Sequence, residues 1–384
     1  MTTLNISRDM LVWAAHKLGT TVPALAEEMA APSRTDRFVD GLLTSSQAIE
    51  LAAKAGIPFG YLFLKHPPGE RRIAIPDLRQ TVNPEPLDAA FFDLLEDIDV
   101  KRMWFGQYVR ENEIPGPEFV GRFAGQSPSA KDVAADIAKT IRVTDEDRSL
   151  CRTPAKFYDL LAARLEQAGV LVFRSGVAKG NTHRPLSVTQ FRGFALCDPL
   201  VPVVFVNGRD SEAAWIFTLI HEAAHIWLGL SGVSDFSASV ARGPKGVEAL
   251  CNRIAAELLT PQDRFVRMWK SDRTGAPIDE LARHFVVSRL VIARRALDAG
   301  FIGQDQYDQV LAASGTRRGS SGGNPYATIP IRSSRRFTDA VLSSAMVGET
   351  MLREAARLLN VKPGTVVQLH RRRTEPAGEE DSVA

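Results

Sequence analysis

Residues 215–230 read WIFTLIHEAAHIWLGL, and the fold is best approached from this stretch. His221 and His225 are four residues apart, which on an α-helix places them about 40° apart around the axis, so both imidazoles leave the same face. That is the arrangement a tetrahedral metal ion needs from two ligands on one element. Glu222 stands beside the first imidazole, where it is placed to act as general base toward a water activated by the metal. From Ser211 to Leu228 the remaining positions are apolar nearly all round, so the helix is expected to be buried. Burying two imidazoles and a carboxylate without compensation costs several kcal/mol. A metal accounts for that better than a satisfied polar cluster in a core, which is the alternative.

A catalytic zinc takes three protein ligands and leaves one position open. The next helical stretch, KGVEALCNRIAAELLTP, offers Glu248 and Glu257, nine residues apart and so on opposite sides of a helix. Glu248 shares an apolar face with Cys251, Asn252 and Ala255 and is the expected third ligand. Glu257 lies one turn after Arg253, the spacing of an exposed ion pair. Asn252, one turn after Glu248, is placed either to steady a ligand or to close helix packing. Cys251 is a soft donor in principle but reads as core. Zinc is the expected metal, although a His-His-carboxylate set also suits manganese or iron.

Working outward, VLVFRS, FRGFALCD and VPVVFVNG read as strands preceding the metal helix. FRGFALCD and VPVVFVNG are placed to supply a sheet edge for an extended peptide, or else are simply core strands. Residues 278–300 form two helical segments about a Val-Val-Ser turn. The first 66 residues read as four short helices: one capped by Ser7, one over 22–31, one over 34–43, and one opened by the Thr44/Gln47 capping box. Patterning is helical again over about 85–170. SGTRRGSSGGN at 314–324 is a Gly/Ser-rich linker. Helices are expected near 338–347 and 349–360, and TEPAGEEDSVA reads as a disordered acidic tail.

The sequence holds three widely spaced cysteines, which argues against a disulfide framework and for a reducing cytoplasm. No apolar run approaches the roughly 18 residues of a spanning helix and no signal-peptide stretch opens the chain, so no membrane partner is expected. A net charge of +2 does not by itself imply nucleic acid. The charge is uneven, however: Thr316–Arg373 carries eleven Lys/Arg against three Asp/Glu, suited to a DNA contact, or else a plain solvated basic face.

FRGFALCDPLVPVVFVN, FTLIHEAAHIWLG and VEALCNRIAAELLTP together resemble the ImmA/IrrE family of regulatory metallopeptidases, over roughly 170–265. The resemblance implies a zincin-like α/β peptidase unit with His221, His225 and Glu248 as ligands and Glu222 catalytic. It also implies a repressor-type transcription factor as substrate, whose cleavage releases stress-response or mobile-element genes. MLVWAAHKLGTTVPALAEEMA and SSQAIELAAKAGIPFGYLFLKHPP resemble Cro-repressor-like helix-turn-helix modules, which implies DNA as a partner. Residues 1–66 carry six Lys/Arg and six Asp/Glu, so charge gives this module no pull on phosphate. Pairing with a partner protein, or with a second copy as a homodimer, is its other use.

The expected architecture is a mostly helical α+β chain. It comprises a helix-turn-helix-like module (1–66), a helical connecting region (67–170), a zinc metallopeptidase domain with helical extension (171–312), a linker (313–324), a small basic region (325–373) and a tail (374–384). The expected function is a zinc endopeptidase acting on a regulator. The alternative is a DNA-binding regulator whose peptidase-like domain serves as a sensor or binding module.

Overall fold

The computed structural model describes residues 3–55, 57, 59–67, 85–234, 245–271, 277–313 and 325–374. The linker residues 314–324 and the tail residues 375–384 lie outside these. The chain divides into two compact units, residues 1–74 with 87–95, and residues 75–86 with 96–384. It is mostly helical α+β with small sheets, as the patterning predicts. Among the described residues no helix is long and apolar enough to cross a membrane.

The first unit runs β1 (Thr3–Asn5), α1 (Arg8–Lys17), α2 (Val22–Met29), α3 (Thr35–Val39), β2 (Leu42–Thr44) and α4 (Ser45–Ala55). Ser7 caps α1 by accepting from the Met10 N–H, and Thr44 and Gln47 cap α4 reciprocally. Met10, Leu11, Leu25, Phe38, Leu43 and Leu51 fill its core. The third helix is shorter than its apolar spacing predicts. It stops at Val39 because Gly41 (φ 85°) turns the chain so that Leu42–Thr44 pairs antiparallel with Thr3–Asn5. A side chain at Gly41 would clash with the Ile6 carbonyl oxygen. Where a reading helix would follow α2 stand one 3₁₀ turn, Pro32–Arg34, and the five residues of α3.

The division between units falls within α5 (Ala89–Glu111). Then come α6 (Ala130–Ile141), α7 (Asp145–Leu150), α8 (Pro154–Ala168), β3 (Leu171–Ser175), β4 (Gly193–Leu196), β5 (Val203–Asn207), α9 (Glu212–Leu228) and β6 (Gly232–Ser234). The sheet has the order β3-β5-β4-β6, with β3 parallel to β5 and β4 antiparallel to both its neighbours. Neither β4 nor β5 is therefore an edge: of the two readings the sequence left open, both are interior strands. β6, only three residues long and invisible to patterning, takes β4's outer side.

After β6 follow α10 (Lys245–Leu259), α11 (Gln262–Ser271), α12 (Pro277–Phe285), α13 (Arg289–Asp298) and α14 (Gln304–Ala313). The chain closes with α15 (Pro325–Arg332), α16 (Arg335–Met346), α17 (Leu352–Leu358) and α18 (Pro363–Thr374). The last four contain the two helices the spacing predicts, flanked by α15 and α18. One continuous apolar core joins α6, α8, α9, α10, α12 and α13 to one face of the sheet. α9 is fixed at both ends: Ser211 accepts from the Ala214 N–H, and Gly229 (φ 76°) stops it. Trp227 near its end stacks on Phe119 at 3.9 Å and donates to Asp136 Oδ2 at 2.8 Å.

α10 is anchored from its far end. The buried Arg148 guanidinium donates to the carbonyls of Leu259 (2.5 Å), Leu258 (3.2 Å) and Phe285 (2.9 Å), tying the C-termini of α10 and α12 together. Burial lowers this group to about 10, so it remains charged at neutral pH. Arg148→Met leaves three carbonyls without their donor and is expected to destabilise the unit by about 3 kcal/mol. Urea unfolding followed by circular dichroism reads this; an unchanged midpoint would refute the anchoring role.

Candidate metal centre

The central helix delivers both imidazoles inward because every residue from Thr218 to Leu228 is buried, most of them apolar. Glu248 enters from the first turn of α10, which packs along α9. His221 Nε2 and His225 Nε2 lie 3.1 Å apart. Glu248 reaches each, Oε2 at 3.0 Å from His221 Nε2 and Oε1 at 3.0 Å from His225 Nε2. All three are buried, at 0%, 0% and 1% exposure. Ligands held tetrahedrally at zinc bond lengths stand about 3.3 Å from one another, so the donor triangle is close to the size a metal requires.

Proton positions point the same way. His221 Nδ1 lies 3.0 Å from Asn252 Oδ1. An amide oxygen only accepts, so Nδ1 carries the proton and Nε2 presents a lone pair. That lone pair faces a carboxylate oxygen, an arrangement that is repulsive unless a cation lies between them. Burial favours the neutral form of His221 and lowers its pKa. Burial pushes the Glu248 carboxyl up, but its closeness to the two imidazoles outweighs that and holds it at about 2. A neutral imidazole and an ionised carboxylate are the protonation states that ligate metal.

Cys251 belongs to the same cluster: its Sγ and a ring nitrogen of each histidine lie within 4.8 Å of one another. Burial, helped by the charges of Glu248 and Glu222, pushes its thiol well above the usual range. Glu248 has an oxygen 3.0 Å from each Nε2, and that geometry favours it as third donor.

Glu222 is fully buried and faces β4. A Cβ at Gly193 would come within 2.8 Å of Glu222 Oε1, 2.6 Å of Thr218 Cγ2 and 2.9 Å of the Phe205 carbonyl oxygen. Gly193 therefore holds open the space that the Glu222 carboxylate occupies. Its sequence signal, a glycine inside a strand, is one that often marks a close approach and lies outside the helical spacing that picks out the ligands. Glu257 differs from expectation: it pairs not with Arg253 but with Arg295 of α13, Nη2 to Oε2 at 2.6 Å, away from the metal donors. The structure thus brings His221, Glu222, His225, Glu248 and Asn252 together and places Glu257 in the packing of the helical extension.

No curated protein matches the chain. Residues 333–372 match a domain of unknown function, DUF8813. Residues 165–297, which include every residue of the candidate centre, match the peptidase M78 family described as the IrrE N-terminal-like domain, and this part of the chain is metallopeptidase-like.

Proposed function

We propose that the chain is a zinc-dependent endopeptidase that cleaves one peptide bond in a regulatory protein, a repressor-type transcription factor. The observation that carries the proposal is the meeting of two imidazole Nε2 atoms and a carboxylate at about 3 Å, buried, with a second carboxylate on the helix that bears the imidazoles. His221, His225 and Glu248 would hold the ion, and Asn252 fixes the His221 tautomer by accepting from Nδ1. A bound zinc supplies Lewis acidity and makes a water nucleophilic at neutral pH. Glu222 takes a proton on its carboxylate from the attacking water and returns it to the departing amine. The apolar surround excludes bulk water from this transfer.

The substrate class is supported by the resemblance to regulatory peptidases and by a helix-rich first unit suited to protein pairing. Adding the purified chain to an extract of its own cells should create a discrete new N-terminus in a transcription factor. Chelating zinc should abolish that cleavage and readding zinc should restore it. Cleavage that persists through complete metal removal would defeat the proposal.

A further inference from the structure

α17 and α18 are joined by four residues, Leu359–Lys362. Asn360 adopts the left-handed conformation (φ 53°), and the Val361 N–H turns back to the Ala356 carbonyl at 2.9 Å, so α17 stops abruptly. The Asn360 side chain donates to Asp97 at 3.0 and 3.2 Å, which holds the turn against α5. Ala355, Ala356 and Leu359 from one side and Val366 and Leu369 from the other are buried, and α16 packs against both helices. Two alanines at the crossing allow the helices a close approach. Two short helices, a tight turn with one left-handed residue and a supporting third helix make up a helix-turn-helix.

The outer surface is basic. Residues 352–374 contain six Lys/Arg and one Asp/Glu. Arg353, Arg357, Lys362 and Arg371 are exposed, as are Pro363, Gly364 and Gln368 at the start and middle of α18. Arg373 is partly neutralised by Asp339, and Arg372 lies over the Tyr326 ring at 4.2 Å.

We propose that α17, its turn and α18 bind duplex DNA, with α18 in the major groove and the flanking Lys/Arg side chains on phosphates. Small residues in the first turn of α18 let its N-terminal end approach base edges, the usual docking of a second helix. Among the described residues none of the exposed large apolar side chains lies on α18, the helix assigned to the groove, while Met351 and Leu352 at the start of α17 are exposed. The A-form groove of duplex RNA is too narrow for a helix. The first unit offers a weaker case, with balanced charge and five residues where a reading helix would stand. None of this depends on the peptidase chemistry.

The test is fluorescence anisotropy of the full chain with a labelled random-sequence DNA duplex at low salt, alongside an RNA duplex and anionic phosphatidylserine vesicles. The wild type should bind DNA in a salt-dependent way and more tightly than RNA or vesicles. Lys362→Glu with Arg371→Glu should weaken DNA binding about tenfold or more. Arg34→Glu with Arg37→Glu, in the first unit, should leave it within about twofold. Both altered residues of the first pair are exposed, and Arg371→Gln provides a milder variant should the double change disturb folding. Absence of salt-dependent DNA binding, a loss confined to the first-unit variant, or preference for RNA or vesicles would each overturn the proposal.

Discussion

Glu222→Gln should lose peptide hydrolysis by about three orders of magnitude while keeping the metal content and melting temperature of the wild type. The amide preserves the volume of the side chain, so it fits the space beside Gly193. What it loses is the ability to accept a proton from water and release it to an amine. His221, His225 and Glu248 are untouched, so the ion stays. Undiminished turnover would refute the assignment of the base. Loss of metal together with activity would show that Glu222 is a ligand instead.

Glu248→Ala should reduce bound zinc from about one per chain to a small fraction, measured by elemental analysis on variant and wild type purified side by side. Two imidazoles on one helix remain, and two ligands do not hold zinc against a competing buffer. Cys251 makes the experiment discriminating, because it is the other donor near the histidine pair. Cys251→Ala should retain zinc, since Glu248 already stands against both Nε2 atoms at 3.0 Å. The opposite pattern, zinc kept in Glu248→Ala and lost in Cys251→Ala, would make the site His-His-Cys.

Much of this site was legible in the sequence for a simple reason: helical spacing is local. The four-residue interval set His221 and His225 on one face, and the nine-residue interval separated Glu248 from Glu257. Asn252 was named for the same reason. What stayed hidden depends on contacts between residues far apart in the chain. The partner of Glu257 is Arg295, 38 residues away, and spacing along α10 pointed to Arg253 instead. Arg148 reaches carbonyls more than 100 residues distant. β1 shortened α3 through pairing that no local pattern encodes. In the C-terminal helices the basic charge was visible, but the turn at Asn360 relies on Asp97 of α5.

The place of β6 has a consequence of mass action. β4 carries Gly193 beside Glu222, and its outer edge is already filled by Gly232–Ser234. Only Gly229–Ser231 separate that strand from the helix bearing His225. A short tether of this kind holds a segment at an effective concentration of order millimolar. Any extended chain that is to pair with β4 must outcompete this resident segment, and a loose peptide at micromolar abundance is outnumbered about a thousandfold. One that pairs instead with β6 lies a further strand spacing, about 4.8 Å, from the reacting carboxylate. Ordinary unfolded chains are thus held off by dilution alone, and a segment delivered by its own docked partner is not.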